Sequence, residues 1–328
     1  MSNSRVSLAV DDYGLSVPTE GRIAVFAARA GLDLSALPKE RCEIVLTQKT
    51  DYDAFSAAGY HCEVRESARY AMAIVILPRA KDQARDLVAR AVAVADVVVI
   101  DGQKTEGADS MLKECRKRTT VQGSVSKAHG KLFWFSGGDF SDWLAVPSQT
   151  AEGQFVTHAG VFSADDIDPA SKILAEALPK KLGRVVVDLG AGWGYLSARC
   201  LADEYVRNLH LVEADRVALE CAKQNVDDAR AVFHWADATT WSVPEGRVDV
   251  VVMNPPFHTG RKAEPSLGVS FIQNAARILA PSGHLWMVAN RHLPYEATLQ
   301  ACFVRVEEVA GDNRFKVLHA HRPARKKS

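Results

Sequence analysis

Asn254-Pro255-Pro256-Phe257 directly follows an apolar run, Val248 to Met253, broken only by Asp249. The Asn254 side-chain oxygen and the Pro255 carbonyl put two acceptors in one turn, enough for both hydrogens of a planar exocyclic amine. The lone pair of such a nitrogen is delocalised into its ring. Holding both hydrogens raises electron density on nitrogen and aims it, so catalysis is by positioning and electrostatic preorganisation rather than by a strong base. The two prolines stiffen the turn and remove N–H groups that would compete as donors. Phe257 offers a face on which a base can stack, and His258 next to it suits either a substrate contact or the end of the turn. A plain Pro-Pro turn closing a strand is the bland alternative, and the residues upstream decide against it.

Those residues are Asp188-Leu189-Gly190-Ala191-Gly192-Trp193-Gly194, which follow the apolar Val185–Val187. Glycines here permit positive φ and let a ligand approach the main chain. The spacing is Gly-x-Gly-x-Gly after an Asp, whereas dinucleotide folds use Gly-x-Gly-x-x-Gly to seat a pyrophosphate. A nicotinamide-dependent oxidoreductase is disfavoured by that spacing and leaves Asn-Pro-Pro-Phe without a role. Glu213 closes a second strand, placed to accept bonds from two ribose hydroxyls, and Asp237 follows a third, within reach of an adenine amino group. Each acid alone would pass for a solvated carboxylate at a helix start. Asp188, Gly190, Ala191, Gly192, Gly194, Glu213, Asp237 and Asn254 together read as a cradle for S-adenosylmethionine. The chemistry implied is methyl transfer to an exocyclic nitrogen. His-x-x-Glu-His, Cys-x-x-Cys and Gly-x-Ser-x-Gly are absent, so neither a metal site nor a nucleophilic serine is expected.

Such residues need strand ends to hold them. The second half of the chain predicts strands at Val185–Leu189, Leu209–Val212, Val232–His234, Val248–Met253 and His284–Ala289. Helices are expected from Gly194 to Leu201, Arg216 to Asp228 and Ser270 to Leu279, with Pro281-Ser282-Gly283 as a break. Short apolar strands alternating with helices build a mainly parallel sheet covered on both faces. Ligands in such sheets sit at the carboxyl ends of strands.

The first half repeats the pattern weakly. Arg22–Phe26, Glu43–Leu46, Ala73–Leu77 and Val97–Ile100 resemble the later strands, with Asp101 standing for Asn290 and Lys131–Trp134 for Lys316–His319. An internal duplication is the expectation, with a degenerate first copy that reads Ala27-Ala28-Arg29-Ala30-Gly31 and Leu77-Pro78-Arg79 where the chemistry would lie. The α/β chain is thus expected to hold two tandem Rossmann-like class I methyltransferase domains, residues 1–150 degenerate and 151–328 catalytic. The polar, turn-rich stretch from Leu144 to Gly153 separates them.

Composition narrows the class. The chain has 328 residues, 47% apolar, with 40 Lys plus Arg against 40 Asp plus Glu. Disorder is disfavoured, and an RNA partner must be argued from local patches instead of net charge. Candidates are Lys113/Arg116/Lys117/Arg118, Lys127/Lys131, Lys180/Lys181/Arg184, Arg261/Lys262 and the tail Arg322/Arg325/Lys326/Lys327. Arg261 and Lys262 lie just past the catalytic turn. Each cluster is equally an ordinary solvated face. Six scattered cysteines read as reduced thiols, and no apolar run approaches the roughly 20 residues that span a bilayer. A cytoplasmic monomer with no membrane association is the expectation.

Taken together, Asp188–Gly194, Glu213 and Asn254-Pro255-Pro256-Phe257-His258-Thr259-Gly260 resemble bacterial ribosomal RNA guanine-N2 methyltransferases of the small-subunit methyltransferase C type (RsmC/RlmG family). Val288-Ala289-Asn290-Arg291-His292-Leu293-Pro294-Tyr295 and Gly160-Val161-Phe162-Ser163 with Asp168 and Ser171 belong to the same resemblance. His158-Ala159 stands where family members often have Leu-Pro, and Trp193 is bulkier than usual in the glycine turn. The resemblance implies two tandem domains, the first inactive, and transfer to the N2 of one guanine in ribosomal RNA, most of all 16S RNA of the small subunit. The implied partner is ribosomal RNA or the small ribosomal subunit. The same Asn-Pro-Pro-Phe signature serves adenine N6 and a protein glutamine amide, which stand as alternatives beside a non-catalytic RNA-binding protein. A base paired within RNA would have to be turned out of its stack to reach the site. His258, Arg261 and Lys262, with Phe257, are the expected substrate contacts.

Overall fold

The computed structural model describes residues 4–67, 69–151, 153–244, 246–256 and 265–324. The chain divides between Pro147 and Ser148 into two units, a point inside the polar stretch from Leu144 to Gly153. The first unit holds strands β1 (Ile23–Phe26), β2 (Cys42–Val45), β3 (His61–Glu63), β4 (Tyr70–Ile76), β5 (Ala95–Gln103), β6 (Val121–Lys127) and β7 (Gly130–Phe135). Their order in the sheet is 3-2-1-4-5-7-6, with β5–β7 and β7–β6 antiparallel and the rest parallel. Helices α1 (Arg5–Asp12), α2 (Lys49–Ala57), α3 (Lys81–Val94) and α4 (Ala108–Cys115) belong to it.

The second unit begins with a short hairpin, β8 (Ser148–Gln149) and β9 (Val156–Thr157), then α5 (Pro169–Ala177). Strands β10 (Val185–Leu189), β11 (Asn208–Glu213), β12 (Ala231–Trp235), β13 (Val248–Met253), β14 (Leu279–Asn290), β15 (Phe303–Gly311) and β16 (Phe315–Pro323) follow. Between them lie α6 (Tyr195–Leu201), α7 (Arg216–Asn225), α8 (Pro265–Ile278) and α9 (Glu296–Cys302). The sheet order is 12-11-10-13-14-16-15, strand for strand that of the first unit.

The central strands are apolar because both faces are covered. Val250, Val251, Val252 and Met253 are fully buried between two side-chain clusters, each contributing about 1.5–3 kcal/mol. Asp249 interrupts that run for a reason. Its Oδ2 accepts from the backbone N–H groups of Arg184 (2.8 Å) and Val185 (3.0 Å), securing the start of β10. On α8, Phe271, Ile272, Ala275 and Ile278 form the buried stripe, at the spacing of one helix face.

Register turns the internal resemblance into a residue-by-residue correspondence. Ala27 N–H donates to Val45 O as Gly190 N–H donates to Val212 O. Ile23 pairs with Met72 as Val186 pairs with Val250. Counting outward, Asp188 corresponds to Val25, Gly190 to Ala27, Glu213 to Leu46 and Asn254 to Ile76. Ala27 keeps a left-handed φ of 54° where Gly190 has 76°. The same count matches Lys131–Trp134 with Lys316–His319.

Some boundaries differ from those the sequence predicts. Gln103, rather than Asp101, stands at the position of Asn290, because β5 runs two residues further than its apolar core. Helix α7 stops at Asn225, not Asp228: the Asn225 amide leaves the helix for Val156 and Trp193, and Asp228 binds Arg230. Helix α8 begins five residues before Ser270. Pro281-Ser282-Gly283 does not separate helix from strand. It is an irregularity inside β14, where the pairing with β13 jumps from Val248↔Leu279 to Val250↔His284.

Candidate active site

The glycine turn leaves β10 at its carboxyl end. Gly192 has φ 56° and nothing within 4 Å of the position a Cβ would take, so this stretch of main chain is open to a ligand. Gly194, with φ 94°, caps α6, and a Cβ there would lie 2.9 Å from Val226 Cγ2 and 3.3 Å from Ala222 Cβ. That glycine serves the approach of α7. Ala191 is buried, its N–H bonded to Val212 O.

The two acids behind the turn are anchored differently. Glu213 is gripped at both oxygens by backbone donors, Gly192 N–H to Oε2 (2.7 Å) and Asp215 N–H to Oε1 (2.8 Å). Burial still pushes its carboxyl above the ordinary range. Asp188 is fully buried; its Oδ2 accepts from Ser197 Oγ at 2.7 Å, and its Oδ1 has no partner. Burial, then the charge of Glu213, raises its pKa to about 7. A buried carboxyl with an unused oxygen is a place for a cationic donor, which would restore its charge. Asp237 spends Oδ1 on an Asx turn with Thr239 N–H (2.8 Å) and Oγ1 (2.7 Å). Asn274, buried on α8, holds that loop by donating to Ala238 O (2.7 Å) and Trp241 O (3.0 Å).

Asn254 stands one residue past β13, on the strand next to Asp188. Its Nδ2 donates to Asp168 Oδ2 and to Ser171 Oγ, both at 2.9 Å. A carboxylate only accepts, so the amide orientation is settled. The buried Oδ1 is left without a partner. Pro255 is buried beside it and Pro256 exposed. Phe257, His258, Arg261 and Lys262, expected to touch substrate, lie outside the described residues, as do Arg325, Lys326 and Lys327.

Asp168 is also the N-cap of α5, accepting from Ser171 N–H at 2.8 Å, with Pro169 at the first helical position. This is a favoured way to begin a helix. The segment before it is pinned to the glycine turn by Trp193, whose Nε1 donates to Phe162 O at 2.8 Å and whose ring meets Phe155 at 5.1 Å. The bulk of Trp193 therefore faces this segment. Asn225 completes the clasp with bonds to Val156 N–H, Val156 O and Trp193 O. In the sequence Asp168 and Ser171 are marked only by the family resemblance, without a chemical role, and Asn225 and Asn274 stand outside the expected site. A signal existed: Asn274 sits on the apolar stripe of α8, between Phe271 and Ala275, where a polar side chain must find partners.

Several basic candidates are already engaged. Arg118 is bound by Asp142 (2.6 Å) and Lys131 by Asp109 (2.5 Å). All six cysteines are free thiols, five of them buried. Among the described residues no His/Cys/Asp/Glu cluster could hold a metal, and no helix is long and apolar enough to cross a membrane.

The doubly wound sheet and the acid-flanked glycine turn define the class: Rossmann-like methyltransferases that use S-adenosylmethionine. The methyltransferase small domain model matches residues 152–319, and the chain belongs to that family. A ribosomal RNA small subunit methyltransferase C from Hahella chejuensis is 28% identical over 268 residues, 78% of this chain and 78% of that protein. A ribosomal RNA large subunit methyltransferase G from Streptomyces coelicolor is 38% identical over 171 residues, 50% of this chain and 45% of that protein. The chain thus spans less than half the length of that second relative. A T. thermophilus 16S rRNA N2 methyltransferase (RsmC), solved with AdoMet and guanosine, superposes with a TM-score of 0.76. The superposition covers 94% of this chain and 90% of that one at 23% identity, so the fold is shared over most of both chains.

Proposed function

We propose that this protein transfers a methyl group from S-adenosylmethionine to the exocyclic N2 of a guanine in ribosomal RNA, most directly the small-subunit RNA. The observation that carries the reading is the Asn254 amide, its donor end latched by Asp168 and Ser171 and its buried Oδ1 unpartnered. Asn254 Oδ1 and the Pro255 carbonyl would accept hydrogen bonds from the two amine hydrogens, leaving the nitrogen lone pair to face the methyl donor; as the N–methyl bond forms and the donor C–S bond breaks, sulfur keeps the bonding pair and one amine proton leaves to solvent. The cofactor supplies an activated methyl group. The chain's own residues would hold it: Glu213 by the ribose hydroxyls, Asp237 by the adenine amino group, and Asp188 by the charged amino-acid end. Gly190, Ala191, Gly192 and Gly194 give main-chain access.

Guanine is favoured because the T. thermophilus protein of the same fold is an N2 enzyme holding guanosine, and ribosomal RNA because both curated relatives carry that substrate in their names. Methylation of adenine N6 or a glutamine amide uses the same acceptors and is the second reading. The first unit carries Val25, Ala27, Leu46 and Ile76 where the second carries Asp188, Gly190, Glu213 and Asn254, so we assign catalysis to the second unit and RNA binding or structural support to the first. A cytoplasmic monomer acting on RNA or the small subunit completes the reading.

The test is transfer from labelled S-adenosylmethionine to undermethylated small and large subunits and to their free RNAs. Label in N2-methylguanine is the expected result, and the preferred particle identifies the substrate. Label only in adenine or protein would replace this reading with the second.

A further inference from the structure

The segment Val288–Tyr295 has no part in the chemistry above, yet it ends β14 at the same carboxyl end of the sheet as Asn254, one strand over. Asn290, Arg291 and His292 form one wall of a cleft of ≈ 460 Å³, and Asn313 and Arg314, from the β15–β16 turn, form the other. None of the five is acidic. Met253 pairs with Met287, so Asn290 lies one strand across and two residues along from Asn254, about 8 Å between Cα positions. From this placement we infer that the cleft seats a backbone phosphate of the RNA next to the target nucleotide, an inference that rests on the RNA reading above.

The walls are braced from behind. Lys316 is buried, and its Nζ donates to Arg291 O (3.2 Å), Leu293 O (2.8 Å) and Glu296 Oε1 (2.5 Å), fixing the turn after β14. Arg291 is committed to structure: it binds Asp312 O (2.9 Å), Phe315 O (3.1 Å) and Glu308 (3.0 Å). Asp312 is committed too, its Oδ1 accepting from the backbone N–H groups of Arg314 and Phe315 at 2.7 Å each. The guanidinium of Arg314 is the contrast. It is exposed, lies 4.8 Å from the Phe315 ring centroid, and makes no ion pair among the described residues. A positioned Arg with five donors, flanked by two Asn amides and an imidazole, matches the oxygens of a phosphodiester. Such contacts set register and leave base identity to the pocket beside them.

The experiment measures binding of a fluorescent single-stranded RNA oligonucleotide across a salt series, with KM for undermethylated ribosomal RNA and cofactor affinity measured alongside. Arg314→Ala is expected to lower the slope of log Kd against log salt by about 0.7, one phosphate contact. It should raise KM for RNA several-fold and leave cofactor affinity intact. Arg314→Lys, which keeps the charge, should hold the slope near wild type. An unchanged slope and KM in Arg314→Ala, with the wild type methylating RNA, would overturn the cleft and spare the function. An Arg314-dependent slope in a wild type that methylates no RNA would do the reverse. A wild type that binds no RNA would overturn both.

Discussion

Asn254, the acceptor in the proposed reaction, shows how neighbours orient one side chain. An amide free to rotate offers its oxygen and its nitrogen to the same point. Two acceptors on the nitrogen side, Asp168 and Ser171, remove that freedom. Asp168→Ala should therefore cut kcat by about 10–100-fold, the scale of a misplaced reacting group, with a smaller change in cofactor affinity. Ser171→Ala, which leaves the carboxylate, should cost less. If kcat stays at the wild-type value in both, the latch is only a helix cap. Asp188 is the second residue with a measurable signature. Its folded pKa of about 7 lies above the ordinary 3.8, so its contribution to stability is present at low pH and is lost as pH rises through about 7. A cationic group bound against it makes it ionise. Calorimetry in buffers of different ionisation enthalpy should show cofactor binding at about pH 6 releasing up to about one proton, falling towards zero by about pH 8. Asp188→Asn should abolish the release; persistence of the proton in that variant would exclude Asp188 as its source.

Between elements, two glycines of one turn answer to different neighbours. Gly192 borders open space and Gly194 borders α7. Both hold left-handed backbone, so alanine at either costs about 1–2 kcal/mol. Only Gly194→Ala adds a collision with Val226 and Ala222. Thermal unfolding should therefore show the larger loss for Gly194→Ala, while Gly192→Ala loses cofactor affinity out of proportion to its stability. Equal behaviour of the two in both measurements would refute that division. This scale also separates what is legible in a sequence from what is not. Strand cores are written in runs such as Val248–Met253, and the site acids stand at their ends. The partners of Asn254 are 86 and 83 positions away, in a segment with no period of its own, and their pairing with it is revealed only by folding. The β14 irregularity was opaque for a similar reason: Pro281-Ser282-Gly283 reads as a stop locally, and the neighbouring strand absorbs it.

Across the whole molecule, the same seven-strand order occurs twice, and the residues of the proposed chemistry, Asp188, Glu213 and Asn254, stand in one unit only. The duplication could be read from the Lys131–Trp134 and Lys316–His319 match. Its consequence needed register, which shows Asp188, Glu213 and Asn254 of the second unit replaced by apolar residues in the first, while the position of Asp237 keeps an acid, Glu66. A sheet tolerates that exchange because strand-end side chains that meet no ligand are free to join the core, as Val25, Leu46 and Ile76 do. The central claim is that one oriented acceptor, Asn254 Oδ1, makes a guanine amine reactive. The most direct measurement is nucleoside mass spectrometry of undermethylated ribosomal RNA after single-turnover reaction with wild type and with Asn254→Ala, each saturated with S-adenosylmethionine. N2-methylguanosine should form with wild type and fall by about 10²–10³ in rate with Asn254→Ala, the loss expected for one preorganised site contact. N2-methylguanosine at an equal rate in both would contradict the account.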